Sequence, residues 1–144
     1  MTAGVHRVFN ARMSALPETA AFVESFCVLH RIARADVLRL TLIVEELFTN
    51  SVEHGYRGES DAPIHVTLSA DIGEVELLYE DVASQYDPLS RLSGSPPDLG
   101  VALESRSVGG LGIGLVRQLT RSARYVYEDG RNRLWVRLRC GSGS

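Results

Sequence analysis

The sequence predicts an α+β fold: a two-layer sandwich in which one mixed, mostly antiparallel sheet carries helices on a single face. Two observations predict it. Two stretches repeat apolar residues at helical spacing, and two pairs of short alternating segments, each joined by a tight turn, read as hairpins. Helices interspersed with hairpins, rather than strict strand–helix alternation, put the helices in a second layer over the sheet. The chain has 144 residues, enough for one domain with one sizeable core. That domain is assigned to residues 1–139, with 140–144 as a disordered tail.

The elements follow in order. Val5 to Ala11 reads as a short strand. Pro17 suits a first helical turn, and Phe22, Phe26, Leu29 and Ala33 continue the helical spacing to about Ala33. Asp36 is a suitable N-cap for a second helix that runs to Gly55, a natural C-terminal stop. After a polar loop from Tyr56 to Pro63, Ile64, Val66, Leu68 and Ala70 alternate with polar residues. Val75, Leu77 and Tyr79 do the same beyond the turn Asp71-Ile72-Gly73. From Pro88 to Gly110 the pattern dissolves into Ser, Gly and Pro, a length that marks a lid or a disordered segment. A helix covers Leu115 to about Ser122, and strands at Ala123–Glu128 and Arg133–Arg139 close the chain. Trp135 and Tyr125 on that last hairpin are candidates for core or for an interface.

Composition excludes several classes. The formal net charge is −3 and the pI about 5.8, which argues against an electrostatic nucleic-acid binder. All 15 basic residues are arginine. A Walker lysine, a Schiff-base lysine and a protein-kinase β3 lysine are therefore absent. Any phosphate bound here relies on backbone N–H groups, arginine, histidine or a metal. Cys27 and Cys140 have no metal-like spacing and form no disulfide framework, so a reducing compartment is expected. No apolar stretch approaches the roughly 18 residues of a membrane span. A cytoplasmic protein without membrane or nucleic-acid partners is the expectation.

Three features could carry chemistry. On the second helix, Leu40, Val44, Leu47 and Ser51 mark the centre of a core-facing stripe, at about 100° per residue. Glu46, Asn50 and His54 follow at i, i+4 and i+8 along its edge. Asn50 offers an amide oxygen suited to a hard cation such as Mg²⁺, and Glu46 could take a proton from a hydroxyl nucleophile. Simple solvation of the helix edge, as expected for Glu45, Thr49 and Glu53, is the other reading. The run Ser107-Val108-Gly109-Gly110-Leu111-Gly112-Ile113-Gly114-Leu115 lets backbone approach phosphate at a helix entrance, or serves as a hinge. Asp81, ending an apolar strand before Val82-Ala83-Ser84-Gln85-Tyr86-Asp87-Pro88, could accept a hydrogen bond from a ligand amino group or cap the next turn.

Taken together, these segments resemble the GHKL ATPase superfamily with its Bergerat fold, and within it the stand-alone anti-sigma-factor serine/threonine kinases. Glu46-Leu47-Phe48-Thr49-Asn50-Ser51-Val52-Glu53-His54-Gly55-Tyr56 is similar to the N-box. Asp81 to Pro88 is similar to the G1 box, and Gly109 to Leu115 to the G2 box. Pro97-Asp98-Leu99 and Glu104-Ser105-Arg106 resemble the family's lid, and Tyr127 to Leu134 its last hairpin. The resemblance spans residues 5 to 139, nearly the whole chain.

It implies that Asn50 holds Mg²⁺ and Glu46 is the catalytic base. It also implies that Asp81 binds the adenine amino group, with Tyr86 at the box's aromatic position. Gly109, Gly110, Gly112 and Gly114 would wrap the ATP phosphates, and His54 would face them. The reaction implied is transfer of the γ-phosphoryl group of Mg-ATP to a serine or threonine of a STAS-type anti-anti-sigma partner. A sigma factor and a second copy in a homodimer are further implied partners. One position departs from the pattern: Ala83 stands where the G1 box has a glycine, which would matter if that residue needs positive φ. The alternative it motivates is a catalytically weak or inactive partner-switching module that sequesters a sigma factor or another regulator.

Overall fold

The computed structural model describes residues 4–88 and 120–141. Strand β1 (Val5–Asn10) leads through a 3-10 turn at Met13–Ala15 into helices α1 (Leu16–Leu29) and α2 (Arg34–Asn50), and α2 passes into a π-helical turn over Ser51–Gly55. Strands β2 (Pro63–Asp71) and β3 (Glu74–Asp81) form one hairpin, β4 (Ser122–Glu128) and β5 (Arg131–Arg139) another. They make one sheet in the order β1-β2-β3-β5-β4. Among the described residues every pairing is antiparallel, so the expected mixed sheet has no parallel pair here.

The period-2 pattern decides which face is covered. Ile64, Val66 and Leu68 of β2, Val75 and Leu77 of β3, and Val136 and Leu138 of β5 have no exposed surface. They form one core with Val23, Phe26, Leu40, Val44 and Phe48 of the two helices. The alternate residues, among them His65, Thr67, Glu76, Leu78 and Trp135, lie on the opposite face. Trp135 is therefore not in the core, and the Arg124 guanidinium lies 4.4 Å from its ring centre. Within α2 the stripe Leu40, Val44, Leu47 and Ser51 is buried as expected, but Thr49, expected at the solvated edge, is buried too. Residues 46–50 are all buried, so this stretch of α2 is covered on more than one side.

Pro17 in the first turn of α1 and the stop at Gly55 stand as expected, whereas the end of α1 and the start of α2 depart from the sequence reading. Helix α1 stops at Leu29 rather than Ala33. Arg31 takes φ 55°, its N–H donates to Val28 O at 3.2 Å, and Ile32 N–H donates to Cys27 O at 2.9 Å. This is a Schellman stop built on an arginine instead of the usual glycine. Asp36 is not the N-cap of α2, because the helix starts at Arg34 with Ala33 as its cap. Asp36 instead takes Arg39 and the Gly141 N–H (2.9 Å) on its carboxylate. Cys140, expected in a disordered tail, is buried and its N–H donates to Gly73 O at 2.9 Å.

Candidate active site

The end of α2 meets the end of β3, and there the polar residues go inside. Glu46, Asn50 and Ser51 are 7%, 5% and 3% exposed, and Asp81 and Asn132 across the sheet are 5% and 6%. Buried polar groups persist only when hydrogen-bonded, and Asn50, Ser51, Asp81 and Asn132 are bonded in a closed circuit. Ser51 Oγ–H donates to Asp81 Oδ2 at 2.7 Å. Asn132 Nδ2–H donates to Asp81 Oδ1 at 2.8 Å, and Asn132 Oδ1 accepts the Tyr86 N–H at 2.9 Å. Asn50 Nδ2–H, on the residue before Ser51, donates to the Tyr86 hydroxyl at 2.7 Å and closes the ring.

Tyrosines frame this circuit. The Tyr79 hydroxyl lies 2.7 Å from Ser51 Oγ and 3.0 Å from the Leu47 carbonyl, two acceptors for its one proton. Burial, with Asp81 beside it, pushes its pKa far above the usual phenol value. The Tyr56 hydroxyl donates to Pro63 O at 2.7 Å and accepts the Val82 N–H at 2.8 Å, tying the segment after β3 to the residue after the π turn. Burial pushes that phenol up to about 12. Both tyrosines thus stay neutral at physiological pH and act as fixed dipoles.

The π turn matters for placement. Tyr56 N–H donates to Ser51 O at 2.7 Å, an i to i+5 bond that widens and underwinds the end of the helix. Such turns frequently lie at functional sites. Here it carries Gly55 under the segment after Asp81, so that a Cβ on Gly55 would stand 3.2 Å from the Ala83 methyl. Between α2, β3, β5 and Tyr86 lies a cavity of about 20 Å³, lined by Asn50, Ser51, Asp81, Tyr86, Tyr125 and Asn132 among others. That is room for about one water molecule.

The chain has known relatives. Residues 9–138 match the family model described as the histidine kinase-like ATPase domain. The chain belongs to this family. It is 36% identical over 95 residues to the serine/threonine-protein kinase BtrW of Bordetella bronchiseptica, covering 66% of this chain and 65% of that protein. It is 32% identical over 92 residues to the serine-protein kinase RsbW of Listeria monocytogenes, covering 63% of this chain and 59% of the relative. The chain thus matches about two thirds or less of these relatives' length. Among solved structures it resembles the RsbU and RsbW domains of a Mycobacterium tuberculosis protein, with TM-score 0.64 and 18% identity over 96% of this chain and 33% of that one. It also resembles a chain of the SiaB–SiaC complex of Pseudomonas aeruginosa, with TM-score 0.60 and 12% identity over 93% of this chain and 88% of that one. These two likenesses concern the fold.

Within this histidine kinase-like ATPase domain the expected site residues are only partly brought together. Asn50, Asp81 and Tyr86 share one network, and Glu46 lies buried one turn before Asn50 on the same helix. His54 sits on the π turn and is exposed. Gly109, Gly110, Gly112 and Gly114 lie outside the described residues, as do the lid segments and most of the helix expected at 115–122; Ser122 itself opens β4. Ala83 is not among the residues with positive φ, so the missing glycine imposes no left-handed strain. Sequence reasoning missed Ser51 and Asn132. Ser51 read as stripe centre, which is true, and its hydroxyl had no visible partner. Asn132 read as turn, although its alternation with Leu134 and Val136 already put it on the helix-facing side.

Proposed function

We propose that this domain binds Mg-ATP at the α2–β3 site and transfers the γ-phosphoryl group to a serine or threonine of a STAS-type partner. The carrying observation is the buried circuit joining Asn50 on the helix to Asp81 on the strand, in a family member whose relatives are named serine/threonine-protein and serine-protein kinases. Asp81 accepts a hydrogen bond from the adenine amino group at one end. Asn50 contributes an amide oxygen to the metal at the other. Among the described residues no three His, Cys, Asp or Glu side chains converge. That donor set suits Mg²⁺, which takes few protein ligands and fills its octahedron from phosphate and water. Bound there, the ion would neutralise charge on the phosphates.

The chain's own residues supply the rest. Phosphoryl transfer depends on positioning and charge, which a lysine-free site can provide. The partner's hydroxyl oxygen bonds to the γ-phosphorus as the bond to the β-phosphate oxygen breaks. The hydroxyl proton passes to the Glu46 carboxylate and ADP leaves. Gly109, Gly110, Gly112 and Gly114 bring backbone N–H groups to the phosphates, and His54 faces them from the π turn. A homodimer and a sigma factor belong to the same reading, and the sheet face away from the helices is the surface open to them. No helix among the described residues is long and apolar enough to cross a membrane.

The second reading, a binding module with little catalysis, has one observation in its favour: the cavity holds about 20 Å³, so Tyr86 must leave Asn50 before a nucleotide can enter. Labelled Mg-ATP with a STAS protein separates the two readings. Glu46→Ala should keep nucleotide binding and lose phosphotransfer by ~10²–10⁴-fold, as for removal of a general base. Equal transfer by the variant would remove Glu46 from its role, and no transfer by the wild-type chain would favour the second reading.

A further inference from the structure

We infer that Asn132 is a positioning residue that fixes which hydrogen-bonding edge Asp81 shows to a nucleotide base, and so sets base preference; this rests on the nucleotide-binding reading above. Asn132 sits opposite Asp81 in the β3–β5 register, and its side chain is buried. Its Nδ2 group donates to Asp81 Oδ1 at 2.8 Å, to Ala83 O at 3.1 Å and to Ser84 O at 3.1 Å. Its Oδ1 accepts the Tyr86 N–H at 2.9 Å and the Tyr125 hydroxyl at 2.5 Å. A primary amide offers two donors and two acceptor lone pairs. All are committed inside the protein, so Asn132 has nothing left for a ligand and works through what it holds.

It holds a segment that no glycine shapes. No residue from Val82 to Tyr86 has positive φ, and the Asn132 amide bonds three of the segment's backbone groups, the carbonyls of Ala83 and Ser84 and the N–H of Tyr86. The effect on Asp81 is countable. Oδ1 accepts Asn132 Nδ2–H and the Ala83 N–H (3.2 Å), which fills its two lone pairs. Oδ2 accepts Ser51 Oγ–H and keeps one lone pair. One remaining carboxylate acceptor takes an N–H donor, as on an aminopurine. A purine carrying a carbonyl at the same position would set oxygen against the carboxylate charge. A site that leaves polar groups unpaired against the wrong ligand discriminates strongly.

Titration calorimetry with Mg-ATP, Mg-GTP and Mg-tripolyphosphate, on wild type and Asn132→Ala, tests this. The wild type should prefer ATP over GTP. The variant should lose ~10-fold or more in ATP affinity, the scale of a hydrogen bond to a charged group, with GTP and tripolyphosphate held within about twofold. The ATP preference then collapses. A residue that only props the fold would weaken all three probes alike, and that result, or an unchanged ATP-to-GTP ratio, overturns the inference. If Asn132→Ala does not fold, Asn132→Ser keeps one donor and acceptor in a smaller side chain. The same comparison then applies, and an unchanged ratio again overturns the inference. A wild-type chain that binds ATP no better than tripolyphosphate fails at an earlier point, because it contradicts the nucleotide reading itself.

Discussion

Tyr86 and Asn50 share a hydrogen bond of 2.7 Å that a bound nucleotide would have to break. Deleting the phenol oxygen removes that competitor. Tyr86→Phe should tighten Mg-ATP binding by roughly threefold to tenfold, the worth of one ordinary hydrogen bond, read by calorimetry against wild type; weaker binding would instead make the hydroxyl a ligand contact. Ser51→Ala acts in the other direction. It takes a donor from a buried carboxylate, a loss of about 1–3 kcal/mol, visible as a lower urea midpoint with an unchanged m-value. At this scale the sequence revealed residue types and order but not partners. Glu46, Asn50 and Asp81 stood out because acids and amides rimming an apolar face invite a chemical reading. Ser51 and Asn132 did not, because their value lies in contacts to Asp81, 30 and 51 residues away along the chain.

Among the elements, the strands were legible, as were Pro17 in the first turn of α1 and the stop at Gly55, but the end of α1 and the cap of α2 were not. Alternation of apolar residues fixed both hairpins to within one or two residues, since one buried face punishes any slip of register. Helix α1 ran four residues short of its apparent pattern because its stop is Arg31 at φ 55°, where no glycine signals a stop. An L-residue there is strained by about 1 kcal/mol. Arg31→Gly should therefore raise stability by about 0.5–1 kcal/mol in a denaturant titration, and destabilisation would show that the arginine side chain contributes more than its backbone costs. The acid at Asp36, suited to a cap, instead holds the end of β5 through Gly141. A local pattern cannot show such long-range use of a carboxylate.

For the whole molecule, the two-layer arrangement followed from the sequence, whereas the strand order did not. The pairing of β3 with β5 joins segments separated by residues 82–130, and nothing local specifies it. That pairing brings Asn132 to Asp81, so topology makes the site. On the opposite sheet face, His6 Nε2 and His65 Nδ1 lie 2.9 Å apart with their rings stacked. Burial, then Arg131 and His6, lowers the His65 pKa. The unfolded chain binds that proton first, near the ordinary value of about 6.5. Stability should therefore fall as the pH drops below that value and level off once His65 is protonated in the folded state as well. Thermal melts from pH 7.5 to 5 should show this fall in wild type and a shallower one in His65→Gln; parallel curves would remove His65 as the cause.

The proposed activity requires a nucleotide lying between Asn50 and Asp81. Titrating Mg-ATP into wild type and Asp81→Asn by calorimetry reads that most directly. Saturable binding by wild type, weakened ~10-fold or more when the carboxylate loses its charge, is the predicted result. No binding at millimolar Mg-ATP, or equal binding by the two proteins, would contradict it.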